Sequence, residues 1–285
     1  MTEPQGSTRQ TRQDIKIRIH DLHKSFGSKL VLDGVNIDIA PAESLVIIGG
    51  SGTGKSVLLK HVIGLLKPDS GTVEVDGTAV ESLGNRQITE FRRKFGMAFQ
   101  EGALFDSMTV WQNVAFPLQR LTKKSHKEIN DRVEECLSMV RLEGVGSKVP
   151  SELSGGMRRR VGFARAVAHQ PEILLFDEPT TGLDPITTAL IDEVILDLSD
   201  RLKTTSVTIT HDMESAYRIA DRIAMLHQGK IIAEAPPEEF KRLDDPRVQQ
   251  FIHGQADGPL SEEAARKPQK SAGETGEADA GNEAD

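Results

Sequence analysis

The chain is poor in the features that mark several protein classes. It has one cysteine, Cys136, in 285 residues, which excludes a disulfide framework and any cysteine-based zinc cluster. No uninterrupted apolar run approaches the roughly 18 residues of a membrane-crossing helix; the longest, such as residues 45–48 and 173–176, are strand-sized. Positive charge is not in excess either: 35 basic against 43 acidic side chains give a formal charge of −8. That excludes a broadly basic nucleic-acid coat, and no nucleic-acid partner is expected. The first residues, MTEPQGSTRQTRQD, lack the apolar segment of a secretory signal, so the expected compartment is the cytosol.

What is present suffices for a core. Hydrophobic residues make up 37%, and glycine brings the total to about 46%, within the range of globular domains. Residues 255–285 hold 3 basic and 8 acidic residues and account for most of the net charge, a composition that solvates rather than packs. The chain therefore divides into a disordered N-terminus (1–14), a folded body (15–244), a short extension (245–259) and a disordered acidic tail (260–285). No internal repeat is visible.

The body reads as α/β. Ile15, Ile17 and Ile19 alternate with polar neighbours, as do Val35, Ile37 and Ile39, predicting an antiparallel β layer with one wet face. Residues 45–48, 173–176 and 206–210 are buried-type runs, each followed by a glycine-rich or acidic turn and a helical pattern, as in a parallel sheet. Between them the sequence turns helical and charged, predicting an inserted helical subdomain over about 101–160. Cys136 falls on the apolar side of the amphipathic stretch 131–141, as a small core residue. Residues 222–234 predict a hairpin turning at Gln228-Gly229.

Three motifs carry chemistry. Gly49, Gly50, Ser51, Gly52, Thr53, Gly54, Lys55 and Ser56 fit G-x-x-x-x-G-K-[ST] directly after a buried strand and before a helix. Such a loop turns successive backbone N–H groups onto phosphates; Lys55 reaches the β- and γ-phosphates and the Ser56 hydroxyl binds Mg²⁺. Asp177 and Glu178 end the run 173–176. Beside the loop strand, Asp177 would hold the Mg²⁺ shell and Glu178 would polarise the attacking water. Leu153-Ser154-Gly155-Gly156 lies between these motifs. Read alone it is a helix start with Ser154 as N-cap.

In that order the three motifs resemble ATP-binding-cassette (ABC) ATPases, members of the P-loop NTPase fold class, over roughly residues 15–239. The resemblance implies that Ser154, Gly155 and Gly156 contact the γ-phosphate across a homodimer of two copies. It implies that Gln100 touches Mg²⁺ or the attacking water, that Asp184 belongs to the loop passing between the two sites, that His211 contacts the γ-phosphate, and that Phe26 stacks on adenine. Met157 stands where the family usually has Gln. Residues 99–118, 150–160, 177–187 and 245–259 resemble more closely the ATPase of Mla-type phospholipid transporters, in which Met at this position is expected. That branch implies ATP and Mg²⁺ as cofactors, an MlaE-like permease met in part by residues 101–105, a STAS-domain regulator and an MCE-domain lipid-binding protein. It also implies a site at the cytoplasmic face of the inner membrane, and reads 245–259 as an extension reaching the partner ATPase, with Val248, Phe251 and Ile252 as its apolar face. The alternatives are the ATPase of a small-solute importer, for amino acids for instance, a soluble ABC ATPase outside transport, and, against the signature and His211, a P-loop kinase or GTPase.

Overall fold

Alternating apolar side chains fold the first two strands onto each other. β1 (Ile17–Phe26) and β2 (Lys29–Ile39) pair antiparallel, Ile17 opposite Ile39 and Ile19 opposite Ile37. Those isoleucines are buried, whereas Arg18 and Asp38 pair on the outer face (Nε–Oδ1 3.1 Å), the period-two pattern expected of a sheet packed on one side. The computed structural model describes residues 15–265, and the chain divides between Arg242 and Leu243 into two compact units.

In the first unit the chain leaves the antiparallel layer through β3 (Ser44–Ile48), buried at every position. It continues through α1 (Lys55–Val62) and returns to that layer as β4 (Ser70–Val75) and β5 (Thr78–Ala79), giving the order β2-β1-β4-β5. After α2 (Asn85–Phe91) comes β6 (Phe95–Ala98) and then the helical insertion: α3 (Val110–Leu121), α4 (His126–Met139) and α5 (Gly155–Val167). Each of these helices opens on a hydroxyl cap, Thr109, Ser125 and Ser154. α5 runs to Val167, beyond the predicted end of the subdomain. The chain goes on through β7 (Ile173–Asp177), α6 (Pro185–Leu202), β8 (Thr205–Thr210), α7 (Met213–Ile219), the hairpin β9 (Arg222–His227) and β10 (Lys230–Ala235), and α8 (Pro237–Phe240).

The second sheet has the order β10-β9-β3-β8-β7-β6, parallel throughout except for β10 on β9. Its core-facing residues Leu45, Ile47, Ile173, Leu175, Val207 and Ile209 share one cluster with β1, β2 and Leu58, Leu59 and Val62 of α1. The two motif-bearing strands are not neighbours, as a reading that sets the acidic strand beside the loop strand would have them: β8 lies between β3 and β7. All three end on the same sheet edge, where α/β sheets bind ligands.

Two arginines, Arg132 buried and Arg160 half-buried, lock the helical insertion. Arg132 of α4 donates to the carbonyls of Val167 (2.9 Å) and Ala168 (3.0 Å) at the end of α5. Arg160 of α5 donates to those of Val140 (3.2 Å) and Arg141 (2.9 Å) at the end of α4. Each helix thus supplies a cation to the other's negative terminus. Cys136 is fully buried between them in sequence, on α4.

The second unit contains α9 (Pro246–His253), capped by Asp245, and α10 (Pro259–Ala265). Val248 is buried in α9 while Phe251 and Ile252 are half-exposed. Residues 260–265, expected to be disordered, are helical. The reason is Gln250: its Oε1 accepts from the Leu260 N–H (2.7 Å) and its Nε2 donates to Ser261 Oγ (2.9 Å). The rest of the predicted tail and the N-terminal stretch 1–14 lie outside the described residues.

Candidate functional site

The loop after β3 is built on backbone conformations that exclude side chains. Gly49 has φ +152° and Gly54 φ +108°; a Cβ on Gly49 would stand 2.3 Å from the Leu226 carbonyl oxygen of β9. α1 begins at Lys55 with Gly54 as N-cap and no side-chain cap, so its first N–H groups face outward, an arrangement suited to an anion. Lys55 is buried, 7% exposed, and its Nζ donates to the carbonyls of Gly49 (2.7 Å) and Gly50 (3.1 Å). Burial lowers its pKa, opposed by Glu178, whose Oε1 lies 3.7 Å away.

The acidic pair ends β7. Ser56 Oγ donates to Asp177 Oδ1 at 3.4 Å, and burial pushes the Asp177 carboxyl above its ordinary value, against that hydrogen bond. A hydroxyl and a carboxylate at this spacing are hard oxygen donors, the set that suits a hydrated Mg²⁺. Glu178 has φ +51°, a left-handed conformation that costs a non-glycine residue about 1–3 kcal/mol. Three hydrogen bonds hold it: its N–H donates to the Ile209 carbonyl of β8 (2.9 Å), and its Oε2 accepts from Thr181 Oγ1 (2.8 Å) and lies 2.8 Å from His211 Nδ1. His211 follows β8 directly and is half-exposed at 56% of its side chain. The middle strand thus brings the histidine to the carboxylate, and Asp212 caps the helix behind it through the Glu214 and Ser215 N–H groups.

The remaining predicted residues form a second group. Ser154 caps α5, its Oγ accepting from the Met157 N–H (3.3 Å). Gly156 lies against α6, where a Cβ would stand 2.5 Å from Thr187 Cγ2. Asp184 caps α6 through the N–H groups of Ile186 and Thr187 (3.0 Å each), so its carboxylate is engaged within its own helix. Among the described residues, neither Ser154 nor Asp184 hydrogen-bonds to the 49–56 loop. Gln100 is exposed after β6, and its carbonyl accepts from Arg159 Nε (2.6 Å); its side chain has no bond to Ser56, Asp177 or Glu178. Phe26 ends β1, 47% exposed, with Lys24 Nζ 5.6 Å from its ring centroid. Sequence reasoning missed Thr181, whose only signal is its place three residues after the glutamate, and Arg159, hidden in the run Arg158-Arg159-Arg160.

Residues 32–181 match the family profile described as ABC transporter. A probable ribonucleotide transport ATP-binding protein, Mkl of Mycobacterium bovis, is 40% identical over 99% of this chain and 79% of its own length. The intermembrane phospholipid transport system ATP-binding protein MlaF of Haemophilus influenzae is 39% identical over 86% of this chain and 92% of its own. Among solved structures, the dimeric post-hydrolysis state of the ATP-binding cassette MJ0796 bound to ADP and Pi superposes with a TM-score of 0.71 at 34% identity, covering 78% of this chain and 98% of that one.

Proposed function

The chain belongs to the ABC transporter ATP-binding family, and on that premise we propose that it is the ATP-hydrolysing subunit of a complex moving phospholipids between membranes. ATP hydrolysis follows from the family. The observation that carries the residue assignment is the convergence of Lys55, Ser56, Asp177, Glu178 and His211 at the carboxyl ends of three adjacent strands, β3, β8 and β7.

Residues Gly49 to Gly54 and the N-terminus of α1 bind the phosphates, and Lys55 exchanges its loop carbonyls for phosphate oxygens. Ser56 and Asp177, with Gln100 brought in from the adjoining loop, would hold Mg²⁺, which when bound would supply charge neutralisation at the phosphates. Glu178 orients the attacking water through the carboxylate edge that Thr181 and His211 fix, and His211 contacts the γ-phosphate. Phe26 supplies the adenine platform. Ser154, Gly155 and Gly156 complete the site of a second copy, since they are anchored to α5 and α6 away from their own loop. The loop containing Asp184 lies between the two sites. A homodimer therefore encloses two ATP molecules, and its reopening drives the transport partner.

The phospholipid cargo, an MlaE-like permease, a STAS-domain regulator, an MCE-domain protein and a position at the cytoplasmic face of the inner membrane rest on likeness to the MlaF branch along most of the chain. Among the described residues no helix is long and apolar enough to cross a membrane. Phe99 and Phe105, 41% and 43% exposed on either side of Gln100 to Leu104, support a permease contact there. Residues 245–259 serve as the contact to the partner ATPase.

The test is to tag the full chain in its native cell, solubilise membranes mildly and identify copurifying proteins and lipids. The expected result is a permease with an MCE-domain protein and enriched glycerophospholipid. A permease with a periplasmic solute-binding protein, or enrichment of ribonucleotides as the mycobacterial relative's name suggests, would discard the lipid cargo and keep the ATPase. Recovery of no membrane protein would discard transport.

A further inference from the structure

The Arg159 side chain is 7% exposed and, among the described residues, has no carboxylate within ion-pair distance. Its guanidinium instead donates to three backbone carbonyls on two separate loops. Nε reaches Gln100 (2.6 Å), Nη1 reaches Pro179 (3.1 Å) and Nη2 reaches Thr181. A buried cation is tolerated only when its donors are satisfied, and a guanidinium spreads its N–H groups over a rigid planar fork that spans carbonyls on two loops, whereas an ammonium offers its three donors from one point.

The identity of those carbonyls gives the arrangement its meaning. Gln100 follows β6. Thr181 follows β7, and its own hydroxyl donates to Glu178 Oε2 (2.8 Å). One guanidinium on the signature helix therefore ties the Gln100 backbone to the loop that orients Glu178. Arg165, six residues further along α5, donates to the carbonyls of Gly102 and Ala103 (2.8 Å each). Two glycines close the gap: a Cβ on Gly162 would stand 3.0 Å from Gly102 Cα, and one on Gly102 would stand 2.7 Å from the Arg158 carbonyl oxygen.

We propose that Arg159 is a positioning residue for hydrolysis: it holds the Gln100 backbone and the Thr181 loop that orients Glu178 in register with each other against α5, so that the two water- and metal-directed side chains are placed together for the reaction. The proposal rests on the ATPase assignment of Gln100 and Glu178 above.

Its test uses the full chain with Arg159→Lys and Gly102→Ala. The second variant displaces the same segment while leaving the arginine in place. Steady-state hydrolysis is measured against ATP and against Mg²⁺, together with nucleotide binding in EDTA and thermal melting. Misplacing reacting groups by about 1 Å can cost about 100-fold, so kcat should fall about 10- to 100-fold in both variants. The Mg²⁺ half-saturation should rise at least about threefold, and nucleotide binding in EDTA should change by less than about threefold. A merely structural arginine would lower active-site concentration and leave the Mg²⁺ curve of the surviving protein in place. An unchanged curve in either variant that folds, or a fall in kcat matched by an equal loss of nucleotide-binding sites, overturns the proposal. Glu178→Gln run alongside separates the two levels. If it hydrolyses ATP at the parent rate, the underlying assignment fails; if it is inactive while Arg159→Lys is normal, only the role of Arg159 fails.

Discussion

Replacing Glu178 by Gln keeps the side chain's size and removes its charge, so the structure lets each consequence be weighed separately. The hydrogen bonds survive in modified form, because the Thr181 hydroxyl 2.8 Å from Oε2 can reverse its role and the His211 ring can change tautomer. What is lost is the carboxylate that orients and polarises water. Losing a general base costs about 10²- to 10⁴-fold, or about 3–5 kcal/mol of barrier at 1.36 kcal/mol per tenfold. The charge also faces Lys55 at 3.7 Å, a gross attraction of about 4 kcal/mol at an effective dielectric of 20. Bound phosphates replace that partner, so ATP affinity should hold within about tenfold and nucleotide-filled dimers should accumulate. In the free protein nothing replaces it. Burial already lowers the Lys55 pKa and Glu178 raises it, so the variant's lysine should deprotonate at lower pH. ATP affinity should then begin to fall at a lower pH in the variant than in the parent. Single-turnover phosphate release at pH 7.5, roughly the pH at which most side-chain charges are settled, and ATP titrations at rising pH test both parts. Release above a hundredth of the parent rate with binding intact would remove Glu178 from its role.

Gly49→Ala forces a Cβ to 2.3 Å from the Leu226 carbonyl at φ +152°; it should cost about 1–3 kcal/mol and at least about tenfold in ATP affinity, and unaltered titrations would show that the loop binds by another geometry. Asp245 is held at about 2, chiefly by the Arg247 guanidinium, below an unfolded value near 3.9, so its contribution is present above about pH 4 and is lost as pH falls toward 2. Proteolysis of α9 by an acid protease should rise over that window in the parent, and Asp245→Ala, which also removes the helix cap, should loosen α9 by about 1 kcal/mol at pH 7; equal cleavage of both proteins would refute it. Deleting residues from 245 onward should weaken assembly with the partner ATPase and leave nucleotide binding intact, and an unaltered dimer would leave that segment without an assembly role. The Cys136 thiol, buried and pushed up to about 12, should resist thiol reagents at pH 8 until the chain is unfolded; rapid labelling of native protein would contradict its burial.

The parts legible in the sequence are those whose physics is local. Alternation foretold β1 and β2, the glycine-lysine spacing foretold the loop into α1, and Gln228-Gly229 foretold the turn between β9 and β10, which runs one residue longer than expected. Long-range pairing was not legible: no local feature of residues 205–210 says that they lie between β3 and β7. The backbone of Glu178 was equally hidden, because its left-handed φ is imposed by the turn and by the Ile209 carbonyl, against the residue's own preference. Composition misled at residues 260–265, where two polar side-chain contacts from Gln250 order a segment that hydrophobic burial would leave loose. Nothing within the run Arg158-Arg159-Arg160 sets Arg159 apart, and only the positions of three distant carbonyls distinguish it.

The exchanged arginine caps of α4 and α5 bear on how this region opens. A helix normally frays at its ends independently of its neighbours, but here unwinding the last turn of α4 releases Arg160, and unwinding that of α5 releases Arg132, so each loss strips hydrogen-bond partners from a cation on the other helix. Fraying of one end therefore raises the energy of the other helix as well. Amide hydrogens of the two terminal turns should exchange with a single opening free energy, and the pair should behave as one cooperative unit in which partly unwound forms are scarcely populated.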